Sequence, residues 1–186
     1  MQFELVKKPK EEKSIISPPK PRMYDVDGFS LRGSCIVWDS YKKENTLLIK
    51  NKKNIWCLSG GGIEPFDKSF LDGALRELKE EAGILGKVTN FVGNFKDYKG
   101  KNKHSTFVWD VVVTEILDNY KEDYRERKWF PYKEAYEKLK DKPEQQNILF
   151  QSKNINRIIE KQYFTNGFEY EYNLWRNKNP MWGKIM

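Results

Sequence analysis

The chain has 186 residues, a formal net charge of +7 and a sequence pI near 9.2, which gives one domain with extensions a sizeable core and leaves too little chain for a second domain. Its two cysteines, Cys35 and Cys57, make neither a disulfide framework nor a zinc spacing, and no apolar run has transmembrane length or the form of a secretory signal. The charge points to anionic partners, whether phosphorylated small molecules, nucleic acid or an acidic membrane surface, and the expectation is a soluble protein of the cytoplasm or nucleus.

Residues 1–21 mix charges with a Ser-Pro-Pro-Lys-Pro run and are too poor in apolar side chains to pack alone, so they are expected to form a tail. Asp27-Gly28 then has turn chemistry, Arg32 to Trp38 reads as a first strand, and Thr46 to Ile49 as a short buried one. A polar loop carrying Lys50, Lys52 and Lys53 precedes the apolar run Ile55 to Leu58, which leads into Gly60-Gly-Gly62. Gly86 to Gly93 and Ser105 to Val113 are strands by their β-branched and aromatic content, joined by a basic, hairpin-like connection over Lys96 to His104. Trp129-Phe130 reads as an edge strand. Lys133 to Leu139 is predicted helical, as is a segment from about Gln146 to Gln162 with Ile148, Leu149, Ile155, Ile158 and Ile159 on its apolar side. Strands interleaved with helices predict an α/β domain over 22–161. The stretch 162–186 is aromatic and basic, and its rings are expected to pack back on the domain, with a nucleic-acid or membrane arm as the alternative.

The organising stretch is Gly60 to Ile84, a glycine loop running into an acidic helix. On a helix Glu77, Glu80 and Glu81 share one stripe, because i, i+3 and i+4 positions lie on one face. Leu71, Leu75, Leu78 and Ala82 make a neighbouring apolar face that would bury the helix, and Gly83 should end it. Like charges this close repel, so a cation is needed, and all-oxygen donors suit Mg²⁺ or Mn²⁺ better than zinc. An acidic pair alone would more often be a solvated helix face. The successive glycines shift the balance, since they let the backbone approach a metal or phosphate.

Arg76-Glu-Leu-Lys-Glu-Glu-Ala-Gly-Ile84 resembles the second half of the Nudix box. The front half departs from that pattern: Asp67 stands where the family has Glu, and eight residues rather than seven separate it from Arg76. In the family this acid orients the arginine, so the departure bears on how the helix begins. The resemblance implies an α/β/α sandwich with a mixed sheet. It also implies Mg²⁺ held by Glu77, Glu81 and the Gly60 carbonyl, with Glu80 as general base.

Four further segments, around Arg22 to Arg32, Lys101 to Trp109, Val113 to Leu117 and Arg125 to Phe130, with Lys142-Pro143 beyond, resemble the diphosphoinositol polyphosphate phosphohydrolases. That resemblance covers roughly residues 22–150. It implies cleavage of the diphosphate of inositol pyrophosphates and activity on diadenosine polyphosphates, with mRNA caps as substrates of some members. Substrate contacts carried over by local match are Arg22, Arg32, Lys103, His104, Arg125 and Lys142. Ser30 and Asn102 stand where the subfamily has basic residues, and Lys50, Lys52 and Lys53 are candidates to compensate. For any single lysine a solvated surface charge is the simpler reading, and the case rests on the set. The competing readings are a cap or dinucleoside polyphosphate hydrolase, with Trp56 or Trp109 stacking on a base, and an inactive inositol phosphate or RNA binding module.

Overall fold

The computed structural model describes residues 22–99 and 102–155. Seven strands, Ser30–Trp38 (β1), Asn45–Lys50 (β2), Trp56–Cys57 (β3), Ser59–Gly62 (β4), Ile84–Lys99 (β5), Asn102–Ile116 (β6) and Arg127–Pro131 (β7), form one sheet among the described residues. Three helices accompany them: Phe70–Ala82 (α1), Tyr132–Lys138 (α2) and Pro143–Asn154 (α3). The sheet is mixed, because β1 runs parallel to β6 along its whole length and antiparallel to β4 at Arg32–Cys35 and to β2 at Val37–Trp38. β7 pairs with β2, and the long β5–β6 hairpin closes the other side.

Alternation along the strands divides the core in two. On one face Leu31, Cys35, Val37, Leu47 and Ile49 meet Phe70, Ala74, Leu78 and Ala82 of α1. On the other, Ile36, Trp38, Leu48 and Leu58 meet Ala135, Leu139, Ile148 and Leu149 from α2 and α3. The result is the expected α/β/α sandwich. Among the described residues no helix is long and apolar enough to cross a membrane.

Several elements differ from the sequence expectation. Gly60-Gly-Gly62 is not a loop but part of the strand β4, where Gly60 and Gly61 serve close packing: a Cβ on Gly60 would come within 2.7 Å of the Gly33 carbonyl, while one on Gly62 would meet open space. The inward stripe of α1 is Phe70, Ala74, Leu78 and Ala82, while Leu71 and Leu75 are only half-buried. The helix is turned this way because it lies tight on β1, where a Cβ on Gly33 would meet Ala74 at 2.8 Å. The hairpin is longer than composition suggests, since Lys96–Lys99 and Asn102–His104 continue the ladder. Pro143 starts α3 earlier than expected, as a proline with fixed φ does well at the first helical position. The expected tail at 1–21, the extension at 162–186, Ile158 and Ile159 lie outside the described residues.

Candidate active site

Local hydrogen bonding sets the start of α1. The Ser69 hydroxyl caps the helix by accepting from Asp72 N at 3.0 Å. Before it, the Asp67 carboxylate accepts from Glu64 N at 2.8 Å and, through both oxygens, from Arg76 Nε and Nη2 at 2.9 Å each. The extra residue between Asp67 and Arg76 does not part them: the shorter acid still reaches the arginine, from a turn in which Asp67 N also donates to Glu64 O. These bonds from Asp67 hold the Arg76 guanidinium protonated well above its ordinary range. Arg76 passes the restraint on, donating to Glu77 Oε1 at 2.7 Å and to the Gly62 carbonyl at 2.9 Å.

The C-terminal end of α1 is tied equally firmly. Gly83 ends the helix in the left-handed region at φ 60°, and Arg127 Nη1 donates to Ala82 O at 2.6 Å. A guanidinium here satisfies a helix-end carbonyl and complements the helix dipole.

Between these anchors the acids face different surroundings. Glu77 and Glu81 are 8% and 9% exposed and turn inward, while Glu80 lies on their flank. Glu81 Oε2 accepts from Gly60 N at 2.8 Å and Oε1 lies 3.1 Å from Arg125 Nη2. Burial pushes Glu81 up to about 7, aided by Glu77 and Glu122 and opposed by the Gly60 N–H and Arg125. Glu80 Oε2 meets Lys121 Nζ at 2.8 Å.

Beside Glu81 and Gly60 opens a cleft of about 430 Å³. Of the anticipated substrate contacts, the structure brings Arg32, Lys52, Lys53, His104, Arg125 and Lys142 to its wall. Arg32 comes from β1 and donates to the Gly60 carbonyl at 3.1 Å, and Lys142 is delivered by the start of α3. Arg22, Ser30, Lys50 and Lys103 are not part of that wall. Arg22 is exposed, Ser30 is buried in β1, Lys50 pairs with Glu126 at 2.7 Å, and Lys103 lies over the Phe29 ring. Residues 31–151 match the profile of the NUDIX domain, and this stretch contains the acid helix, the cleft and all of the sheet except Ser30 at the start of β1.

The chain belongs to the Nudix family. This Nudix phosphohydrolase is 35% identical over 127 residues to diphosphoinositol polyphosphate phosphohydrolase 3-beta of Bos taurus, covering 66% of this chain and 76% of the relative. It is 34% identical over 128 residues, with the same coverage, to the 3-alpha enzyme of Mus musculus. Its fold is similar to that of a Nudix hydrolase from Nitrosomonas europaea, with a TM-score of 0.57 at 16% identity over 66% of this chain and 86% of that one. It is also similar in fold to an Ap4A hydrolase from C. elegans, with a TM-score of 0.55 at 17% identity over 66% and 93% of the two chains.

Nudix hydrolases generally use divalent metals such as Mg²⁺, and the donor chemistry here fits a hard cation. Glu77 and Glu81 are buried carboxylates, and a Cβ on Gly61 would fall 2.2 Å from Glu77 Cδ, so only glycine leaves that carboxylate its space. Among the described residues no three acidic, imidazole or thiol side chains converge as a metal cluster. The Glu77, Glu80 and Glu81 carboxylates are instead engaged by Arg76, Lys121 and Arg125 respectively. Cys57 also lines the cleft, but burial raises its thiol, which keeps it protonated and no nucleophile.

Sequence reasoning missed several wall residues. Gln145, in the first turn of α3, accepts from Leu58 N at 2.9 Å and so ties α3 to the link between β3 and β4. Asn51 accepts from Lys53 N and Ile55 N at 2.9 and 3.1 Å, shaping the turn that presents Lys52 and Lys53. That pattern, Asn ahead of a short polar turn, was readable as turn chemistry. Asp97 was not readable, because its face depends on three register shifts in the β5–β6 ladder.

Proposed function

We propose that this Nudix hydrolase cleaves the diphosphate of inositol pyrophosphates with Mg²⁺, Mn²⁺ being able to substitute. The observation that carries the reading is the composition of the cleft wall. It gathers Arg32, Lys52, Lys53, His104, Arg125 and Lys142 around one opening beside the acid helix, and among the described residues it includes no Phe, Tyr or Trp. Such a wall suits a densely phosphorylated ligand without a base, since nucleobase recognition leans on aromatic stacking. Of the tryptophans considered for stacking, Trp109 is 2% exposed and Trp56 packs edge-on to Phe130 at 4.9 Å. This disfavours the dinucleoside polyphosphate and cap readings. The intact, buried acid pair disfavours an inactive binding module.

In this reading Glu77, Glu81 and the Gly60 carbonyl hold the metal, which when bound supplies charge neutralisation at the scissile diphosphate. Glu80 accepts the proton of the attacking water as its oxygen bonds to phosphorus and the bridging P–O bond breaks, the electron pair leaving with the departing phosphate. Lys121 holds one Glu80 oxygen, while Arg76 fixes Glu77 and Gly60 N–H fixes Glu81. The cleft cations hold the phosphates remote from the reaction. Phosphoryl transfer asks the protein chiefly for such positioning and neutralisation. The test is hydrolysis of an inositol pyrophosphate by Glu80→Gln and Glu81→Gln proteins. Each is expected to lose at least about a hundredfold in kcat, and wild-type turnover in either would refute its role.

A further inference from the structure

Asp97 and His104 are direct partners in the antiparallel β5–β6 ladder, so their Cβ atoms stand about 4.5–5.5 Å apart on one face. That face is the cleft: both side chains line it, together with Arg32 and Thr106. Asp97 Oδ1 and His104 Nδ1 are both shielded from solvent. An acid on a wall built for phosphates repels the ligand, so its presence asks for a compensating role.

We propose that Asp97 is a positioning residue for His104: when the ring is protonated, the Asp97 carboxylate accepts the shielded Nδ1–H and stabilises the imidazolium, so that Nε2–H is offered to a substrate phosphate. This rests on the polyphosphate reading of the same cleft. The other charged groups lining the cleft with the imidazole are Arg32 from β1, Lys52 and Lys53 from the β2–β3 turn, Arg125, Glu81 from α1, and Lys142 and Glu144 at the start of α3. Lys96 and Lys103, the sequence neighbours, are turned to Phe29 and the Asp25–Asp27 turn instead. Cations therefore predominate and work against protonation of a group whose ordinary pKa is about 6.5. Asp97 is the acid set directly opposite, and it offsets them. A phosphate-dense ligand adds more negative charge, so ligand binding draws a proton onto His104.

His104 is the only histidine in the chain, so its ring signals in an NMR titration report on this one group. The comparison is wild type against Asp97→Asn, each alone and with inositol hexakisphosphate as the polyanionic probe. The Asn variant is expected to titrate about 0.5–1 pH unit lower, and the probe to raise the wild-type midpoint by a similar amount. Near neutral pH the variant should raise KM by about three- to tenfold with kcat nearly unchanged, and Asp97→Glu should recover most of the loss. Equal midpoints in wild type and Asp97→Asn, or a wild-type midpoint indifferent to the probe, would overturn the proposal. The titration needs no turnover. A chain that titrates as described but spares inositol pyrophosphates would sink the proposed reaction and uphold the pair.

Discussion

The smallest side chains set the tightest tolerances at this site. A Cβ on Gly61 would overlap Glu77, and Glu77 has little freedom to swing aside because Arg76 holds it while Asp67 holds Arg76. Gly61→Ala is therefore expected to lower kcat for diphosphate hydrolysis at least about tenfold, equivalent to about 1.4 kcal/mol of barrier, with little change in Tm. A fully active Gly61→Ala protein would take Glu77 out of the site. The acids themselves were legible from the sequence because i, i+3, i+4 spacing is a local property. Which of them faces inward was not, since that depends on how Gly33 lets α1 settle onto β1. Asp67 was legible only as a departure. Its reach to Arg76 depends on the turn at Glu64, which spacing alone does not reveal.

Among the elements, α3 has a weaker apolar pattern than α1 and is held by a buried polar cluster. Lys43 Nζ lies 2.6 Å from the fully buried Asp110 carboxylate and 2.8 Å from the Ser152 carbonyl, and Trp38 Nε1 donates to Asp110 and Ser152 at 3.1 Å each. This cluster locks the end of α3 to the sheet, and the start of the same helix brings Lys142 and Gln145 to the cleft. Lys43→Met would leave Asp110 charged and buried without its cation, at a cost of about 3 kcal/mol. Chemical denaturation at neutral pH measures it, and a loss under about 1 kcal/mol would mean the pair does not hold α3. Strands β1 and β2 were legible because short, almost continuously apolar runs such as Cys35–Trp38 and Leu47–Ile49 mark buried strands. The full β5–β6 hairpin was not, because its register shifts at Leu85/Gly86, Val88/Asn90 and Phe91/Gly93 break the alternation that period-two reading relies on.

For the whole molecule, the net charge of +7 announced an anionic partner but not where it would bind. The fold answers by bringing cations from β1, the β2–β3 turn, the loop before β7 and the start of α3 to one opening, positions far apart in sequence. That opening, rimmed by cations and with no Phe, Tyr or Trp among the described residues of its wall, is the basis for choosing a sugar-like polyphosphate over a nucleotide. The most direct test is a side-by-side measurement of kcat/KM with Mg²⁺ on an inositol pyrophosphate, diadenosine hexaphosphate and capped RNA, using Glu80→Gln protein as the blank. The expected result is a value at least about tenfold higher for the inositol pyrophosphate, about 1.4 kcal/mol of transition-state preference. Faster turnover of either nucleotide substrate, abolished by Glu80→Gln, would contradict it.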